Sequence, residues 1–267
     1  MNKKTKIIFS YILLFIESIM LFIITILLAS KCTILNTKYI KNTLEKNNYY
    51  QEIYKEILTE MSYYTNQSGF EDSVLDNTFT IGEIKYEINS FVDNTYGGKK
   101  TSIDTTKLEE RLRKNINNFI NSSSFKIVDE EEINKFIKTI GTVYQDEIKL
   151  MGYSDKGLGV LTKINNLSSK FLIVLSILTI LLIIINKQLF ERLDLSVVLY
   201  TSSFLLIFIN YYIKNNIDIK NIFIYSPLIS KITKDIITSY FNNFIAISIA
   251  FLFLGIVLEL LKKIKKS

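Results

Sequence analysis

Four apolar stretches, residues 7–30, 170–186, 195–213 and 244–261, constrain this 267-residue chain more than any other feature. At 1.5 Å of rise per residue, each is long enough to cross the ~30 Å hydrocarbon core of a bilayer, or nearly so, as a helix. In hydrocarbon a segment must satisfy its own backbone N–H and C=O groups, which a helix does and an isolated extended stretch does not. The expected fold class is an all-α integral membrane protein. It has four transmembrane helices, with a helical extracytoplasmic domain inserted between the first and second.

Charge sets the expected orientation. Lys3, Lys4, Lys6, Lys187, Arg192, Lys262, Lys263, Lys265 and Lys266 flank the apolar stretches. Cations gather on the cytoplasmic side of a membrane protein, so residues 1–6, the loop 187–194 and the tail 262–267 are read as cytoplasmic. Residues 31–169 and 214–243 then lie outside, with Tyr211, Tyr212 and Tyr240 at the outer interface, where aromatic rings are favoured. The first stretch exceeds the apolar region of a secretory signal and no small-residue cleavage site follows it, so it reads as an uncleaved anchor. Lys31 precedes Cys32, where a lipoprotein signal requires a small residue.

The formal charge of +6 suggests nucleic acid, but its distribution does not. Residues 31–167 carry 18 Lys/Arg against 20 Asp/Glu, a net charge of −2, so the cationic surplus lies beside the apolar stretches and no nucleic-acid partner is expected. The lipid bilayer is the partner that this pattern implies. Arg, Ala, Pro and Gly together supply only 16 residues, while Lys, Ile and Asn abound. A bacterial genome poor in G and C produces that bias, and the preference for Lys over Arg needs no functional cause.

Cys32 is the only cysteine and there is no histidine, so no intrachain disulfide can form. Zinc sites built on Cys and His, and any His general base, are excluded with them. No phosphate-binding Gly-rich loop, HExxH or EF-hand pattern is present, and no cofactor, metal or catalytic residue is expected.

Residues 31–169 are patterned for helices. Tyr50, Tyr54, Ile57, Met61 and Tyr64 recur at spacings of four and three, placing them on one helical face. Similar stripes run through Ile81, Ile84, Ile88 and Phe91, through Leu108, Leu112, Ile116 and Phe119, and from Ile133 to Ile148. Thr80 with Glu83, Thr106 with Glu109, and Asp129 with Glu132 have the spacing of a capping box. Tyr96-Gly97-Gly98-Lys99 reads as a turn, Asn121–Ser124 as a loop and Lys100–Ile103 as a short extended piece. The expected core contains Ile57, Met61, Ile84, Ile88, Phe91, Leu112, Ile116, Ile137 and Ile140. Further on, Ser226-Pro227 marks an N-cap and first helical residue. Nothing interrupts the helical run from there into the fourth span, or from Gly159 into the second.

Glu17 is the costly residue. It follows Lys6 by roughly 16 Å and precedes Lys31 by roughly 21 Å of helix, near the bilayer midplane. A charge there costs at least ~2.5–3.5 kcal/mol, so Glu17 should face protein or carry a proton. The same counting places Ser176, Thr179, Ser202, Ser203 and Ser248 at similar depth, within expected reach of Glu17. A structural hydrogen bond and a proton or ion site are the competing readings.

Two acidic groups, Asp129–Glu132 and Glu71/Asp72/Asp76, have the oxygen ligands of a cation site. Complementing helix dipoles explains them more simply. Among the clustered tyrosines, Tyr49 and Tyr63 lie off the apolar stripe and are the expected outer-surface recognition residues. Asn66, Asn121 and Asn166 open glycosylation sequons, which carry little weight in a bacterial sequence.

These readings imply a non-catalytic plasma-membrane protein whose extracytoplasmic domain binds a partner protein, cell-envelope component or signal. The competing class is a small transporter or channel, oligomeric if it is to line a pore, that uses Glu17.

Overall fold

The computed structural model describes residues 3–99, 102–122, 129–149, 155–190, 194–223 and 226–264, and among them every regular element is helical. The α-helices are α1 (Lys3–Cys32), α2 (Thr37–Lys46), α3 (Tyr49–Gln67), α4 (Ile81–Gly97) and α5 (Thr106–Ser122). They continue as α6 (Glu130–Ile148), α7 (Asp155–Phe190), α8 (Leu195–Asn216) and α9 (Pro227–Ile264). Short 3-10 turns lie at Asp72–Leu75 and Ile219–Asn221. Helices α1, α7, α8 and α9 are long and apolar enough to cross a membrane. The chain divides into two compact units, an apolar one of residues 1–40 with 163–267 and a polar one of residues 41–162.

In the apolar unit, α8 packs most closely on α9 and next on α1. Ala29, Leu206 and Phe244 form the buried centre, surrounded by Phe22, Ile26, Tyr240 and Phe241. Small residues allow the close approach: Ser18, Ser202, Ser203 and Ser248 are fully buried. Neighbouring residues on a helix point about 100° apart. Ser202 and Ser203 therefore serve two neighbours, donating to the carbonyl oxygens of Ser18 on α1 and Ser248 on α9, each at 2.9 Å. Lys262 of α9 bonds Asp194 at 2.6 Å and Ser196 at 3.2 Å, tying the end of α9 to the start of α8.

Helix α7 is the least enclosed of the four. Its buried side chains, among those described, are Ser168, Thr179 and Asn186, while Phe171, Ile173, Ile177, Ile180 and Ile184 are exposed. The buried positions differ by eleven and seven residues, close to whole numbers of helical turns, so they form one polar stripe turned inward. Lys31 donates to the Asn165 carbonyl at 2.8 Å and Ser10 to Oδ1 of Asn186 at 3.0 Å, so α1 and α7 run antiparallel. Both α7 and α9 extend as uninterrupted helices. The Ser226 hydroxyl accepts the Ile229 N–H at 3.2 Å, capping α9 as its sequence implies.

In the polar unit, α3 packs against α6 and α4, and α5 against α6 and the Asp72–Leu75 turn. All nine residues of the expected core are buried, with Ile57, Met61, Ile84, Ile88, Leu112, Ile116 and Ile140 sealed completely. Stripe members at the edges differ. Ile81 is exposed, and Tyr54 and Tyr64 are half-buried because Ile53 and Thr65 occupy the inner face instead.

The Thr80–Glu83 capping box forms in full. At α5, however, Asp104 accepts the Thr106 N–H at 3.0 Å and Thr105 bonds Glu109, so Thr106 is the first helical residue and not the cap. Asp129 caps α6 through Glu131 N–H, at 2.8 Å. Gly98 ends α4 at φ 68°, a left-handed conformation that favours glycine. Asn121 and Ser122 belong to α5, while Ser123, Ser124, Lys100 and Thr101 lie outside the described residues. Ser102 and Ile103 form no strand.

Candidate functional site

Glu17 is 1% exposed, and its hydrogen-bond partner is Asn186 of α7, whose Nδ2 donates to Oε1 at 3.4 Å. Asn186 thus joins Ser10 and Glu17, two turns apart on α1, in one buried polar chain. Side chains lean toward the N-terminus of their own helix. Because α1 and α7 are antiparallel, Glu17 and Asn186 lean toward each other and close a gap that their backbone heights alone would leave open.

The hydroxyls expected to reach Glu17 do not bond to it. Thr179 donates to the Leu175 carbonyl at 2.8 Å and Ser248 to that of Ile245 at 2.8 Å, while Ser202 and Ser203 form the clamps described above. Ser176 is half-buried on α7 and makes no bond to Glu17. A hydroxyl in an apolar helix has a carbonyl of the preceding turn within reach, which residue depth alone does not reveal. The signal for Asn186 was available in its seven-residue spacing from Thr179.

The polar unit holds a cleft of about 620 Å³, within the size range of small-molecule sites. Its walls come from α4 (Glu83, Tyr86, Glu87, Ser90) and from α5 with its approach (Asp104, Lys107, Arg111). Phe79, Leu108 and Tyr144 supply the apolar lining. Residues 83, 86, 87 and 90 share one face of α4 by their spacing of three and four.

Across the cleft, Arg111 grips Glu83 with both arms of its guanidinium, Nη1 to Oε2 at 3.0 Å and Nη2 to Oε1 at 2.8 Å. It also donates to the Thr78 carbonyl at 3.2 Å. These bonds from Arg111, with help from Thr80, hold the Glu83 carboxyl below the ordinary carboxylate range. Glu87 has no such support. It is half-buried and forms no ion pair or hydrogen bond among the described residues. Burial, and then the charge of Asp104, push its carboxyl upward. Tyr86 beside it is 70% exposed.

Of the two tyrosines expected at the surface, Tyr63 is exposed and stacks edge-on against Tyr64 at 5.5 Å. Tyr49 is not a surface residue, being 0% exposed at the start of α3. Asn48 precedes the helix in a left-handed conformation at φ 54°, and the packed face of α3 takes in Tyr49, Tyr50, Ile53, Ile57, Met61 and Thr65. The Tyr49 hydroxyl and Oε2 of Glu147 are both buried without a hydrogen bond. Burial raises both groups, and the negative charges of Glu56 and Glu147 raise Tyr49 further.

The acidic run at α6 is taken up by the helix itself. Asp129 is its cap, Glu130 lies 3.5 Å from Arg113, and Glu131 and Glu132 pair with Lys135 at 2.9 and 3.1 Å. Asp72 accepts a hydrogen bond from Ser62. Among the described residues, no group of three or more His, Cys, Asp or Glu is arranged to hold a metal ion. No family model, curated protein or solved structure matches this chain.

Proposed function

We propose that this is a non-catalytic, multi-pass plasma-membrane protein whose polar helical unit lies outside the cytoplasm and binds a partner through the α4/α5 cleft. The cleft carries the reading. It has the volume of a ligand site and lies in the unit whose composition suits water. Its convergent charged and aromatic side chains go beyond what packing requires. The absence of histidine and of any recognised catalytic constellation favours binding over turnover. The lysines at the start of α1, after Asn186 and at the end of α9 support cytoplasmic termini and an outer polar unit.

Two measurements test this together. In a Cys32→Ser background, a cysteine replacing exposed Asn66 should react with a membrane-impermeant maleimide on intact cells. Labelling only after permeabilisation would reverse the topology. A photo-crosslinking residue at position 86 should trap a partner in living cells, and adduct formation no greater than at exposed position 110 would remove the cleft from the binding reading.

Buried Glu17, with Asn186 and Ser10, favours one second reading, a small transporter or channel. Against it, three of the four apolar helices meet through small, mutually bonded side chains, leaving Glu17 a short polar chain. Flux into vesicles containing the purified protein, lost in Glu17→Gln, would establish transport. Vesicles no more permeable than protein-free ones would exclude it.

A further inference from the structure

We propose that the α4/α5 cleft takes its ligand through a primary ammonium group, seated between the carboxylates of Glu87 and Asp104 and against the ring of Tyr86. This rests on the reading of the cleft as the binding site and specifies its chemistry.

The charges lining the cleft divide into committed and uncommitted groups. Arg111 directs both arms to Glu83 and a further bond to the Thr78 carbonyl, so its charge is already matched by a carboxylate. Glu83 in turn accepts from Thr80 N–H at 2.9 Å as well as from Arg111. What remains is Glu87, Asp104 and Lys107, two carboxylates against one ammonium. Both bonds that Asp104 accepts from Thr106, at 3.0 and 2.6 Å, end on Oδ1, which leaves Oδ2 available. Glu87 and Asp104 line the same cleft, where burial and then the charge of Asp104 raise the Glu87 carboxyl, a strain that a cation between them would relieve.

An anionic ligand would meet two carboxylates and a single lysine. An uncharged one would leave Glu87 desolvated without a partner. A protonated amine satisfies Glu87, Asp104 and the exposed face of Tyr86 together, since a cation over an aromatic ring is itself attracted. Phe79, Leu108 and Tyr144 then suit the aliphatic chain bearing the amine. The same chemistry occurs in a lysine side chain and in a free polyamine.

The test uses the full-length protein in nanodiscs of zwitterionic lipid, which do not themselves concentrate cations. Calorimetric titrations with Nα-acetyl-lysine methylamide and with spermidine separate the two sources. Saturable binding of either is expected, weakened at least about 10-fold by Glu87→Gln, the loss of one charge-assisted bond. Tyr86→Leu should weaken it about 3-fold. Glu110→Gln, on the exposed side of α5, should bind like the parent. Asp104→Asn keeps an oxygen for the Thr106 cap while removing charge, and gives the answer if Glu87→Gln fails to accumulate.

Absence of saturable binding of both amines up to about 10 mM, or affinities unchanged by removing these carboxylates, overturns the amine proposal. Glutarate serves as the anionic probe. If it binds instead and Lys107→Gln weakens it, the ligand class is wrong while the cleft remains a binding site. If neither amines nor glutarate bind and crosslinking at position 86 also fails, both readings fall.

Discussion

Arg111 and Glu83 face each other as a two-point fork, with nitrogen–oxygen distances of 3.0 and 2.8 Å bridging α5 and α4 at the cleft. The pair fixes the spacing of two helices that otherwise meet the rest of the unit through α3, α6 and the Asp72–Leu75 turn. Both side chains are more than a third exposed, at 41% and 35%, so water screens much of their attraction.

Arg111→Lys should therefore cost no more than about 1 kcal/mol of stability while loosening the cleft, because lysine supplies one point of charge where arginine supplies a planar fork. Hydrogen exchange in α4 and α5 should quicken while α1 and α8 keep parent rates. The pH dependence has a defined sign. Glu83 is lowered by Arg111 in the fold, so its contribution is present above the unfolded carboxylate value and lost as pH falls through the folded one. Glu83→Gln should flatten that acid loss, and an unchanged acid profile would show that the fork contributes nothing.

Glu147 should act with the opposite sign. Burial, then Glu56, Glu60 and Asp146, raise its carboxyl above the ordinary carboxylate range. The folded state consequently holds the proton more tightly, and stability declines as pH rises from the unfolded value through the folded one. Glu147→Gln should melt higher than the parent near about pH 7, with the advantage closing toward about pH 4. A variant less stable than the parent at neutral pH would refute the assignment.

Tyr49→Phe should be neutral or stabilising. The hydroxyl is buried with no hydrogen bond, so removing it ends a desolvation cost of about 1–3 kcal/mol without breaking a contact. Tyr49→Ala, by contrast, should cost about 3–5 kcal/mol through the cavity it leaves. Thermal melts of the purified full-length protein followed in the near-ultraviolet would report both.

Gly255 lets α9 approach α8. A Cβ added there would lie 2.5 Å from Cε1 and 2.9 Å from Cδ1 of the Tyr200 ring. Gly255→Val should destabilise the apolar unit by about 1–3 kcal/mol, and Tyr200→Ala in the same chain should recover most of the loss. Equal melting of Gly255→Val and the parent would mean that the helices can separate freely there.

For Glu17, Glu17→Gln should accumulate and melt like the parent, since glutamine can still accept from Asn186. Asn186→Leu removes bonds to both Ser10 and Glu17 and should cost about 1 kcal/mol, since an interhelical polar contact in membranes averages about 0.6 kcal/mol. In a double-mutant cycle, Glu17→Gln and Asn186→Leu should couple by no more than that amount. Coupling of several kcal/mol would show Glu17 to be ionised and held by its partner.

Local chemistry was legible in the residues themselves. The lengths of the apolar stretches, the Thr80–Glu83 box, the Ser226 cap and the Gly98 turn depend on groups within a few positions of one another, and each is as the sequence implies. The nine core residues were legible too, because a strong three-and-four spacing leaves one way to hide apolar surface. Tyr49 was misplaced because packing turns α3 so that 49, 53 and 65 are buried with 50, 57 and 61 while 54 and 64 lie at the edge, a small rotation that an averaged helical period does not resolve. Residue depth placed Glu17 among serine and threonine hydroxyls, but depth says nothing of direction around a helix. The antiparallel lean of α1 and α7 selected Asn186 in their place. The cleft is likewise a tertiary product. Glu83 and Arg111 are twenty-eight residues apart and Glu87 and Asp104 seventeen, and their convergence on one cleft depends on how α4 and α5 are set by the helices beneath them. Sequence determined which segments are helical and which surfaces must be buried. Only packing decided which polar groups face one another, because that depends on helix rotation and register, which hydrophobic pattern constrains only coarsely.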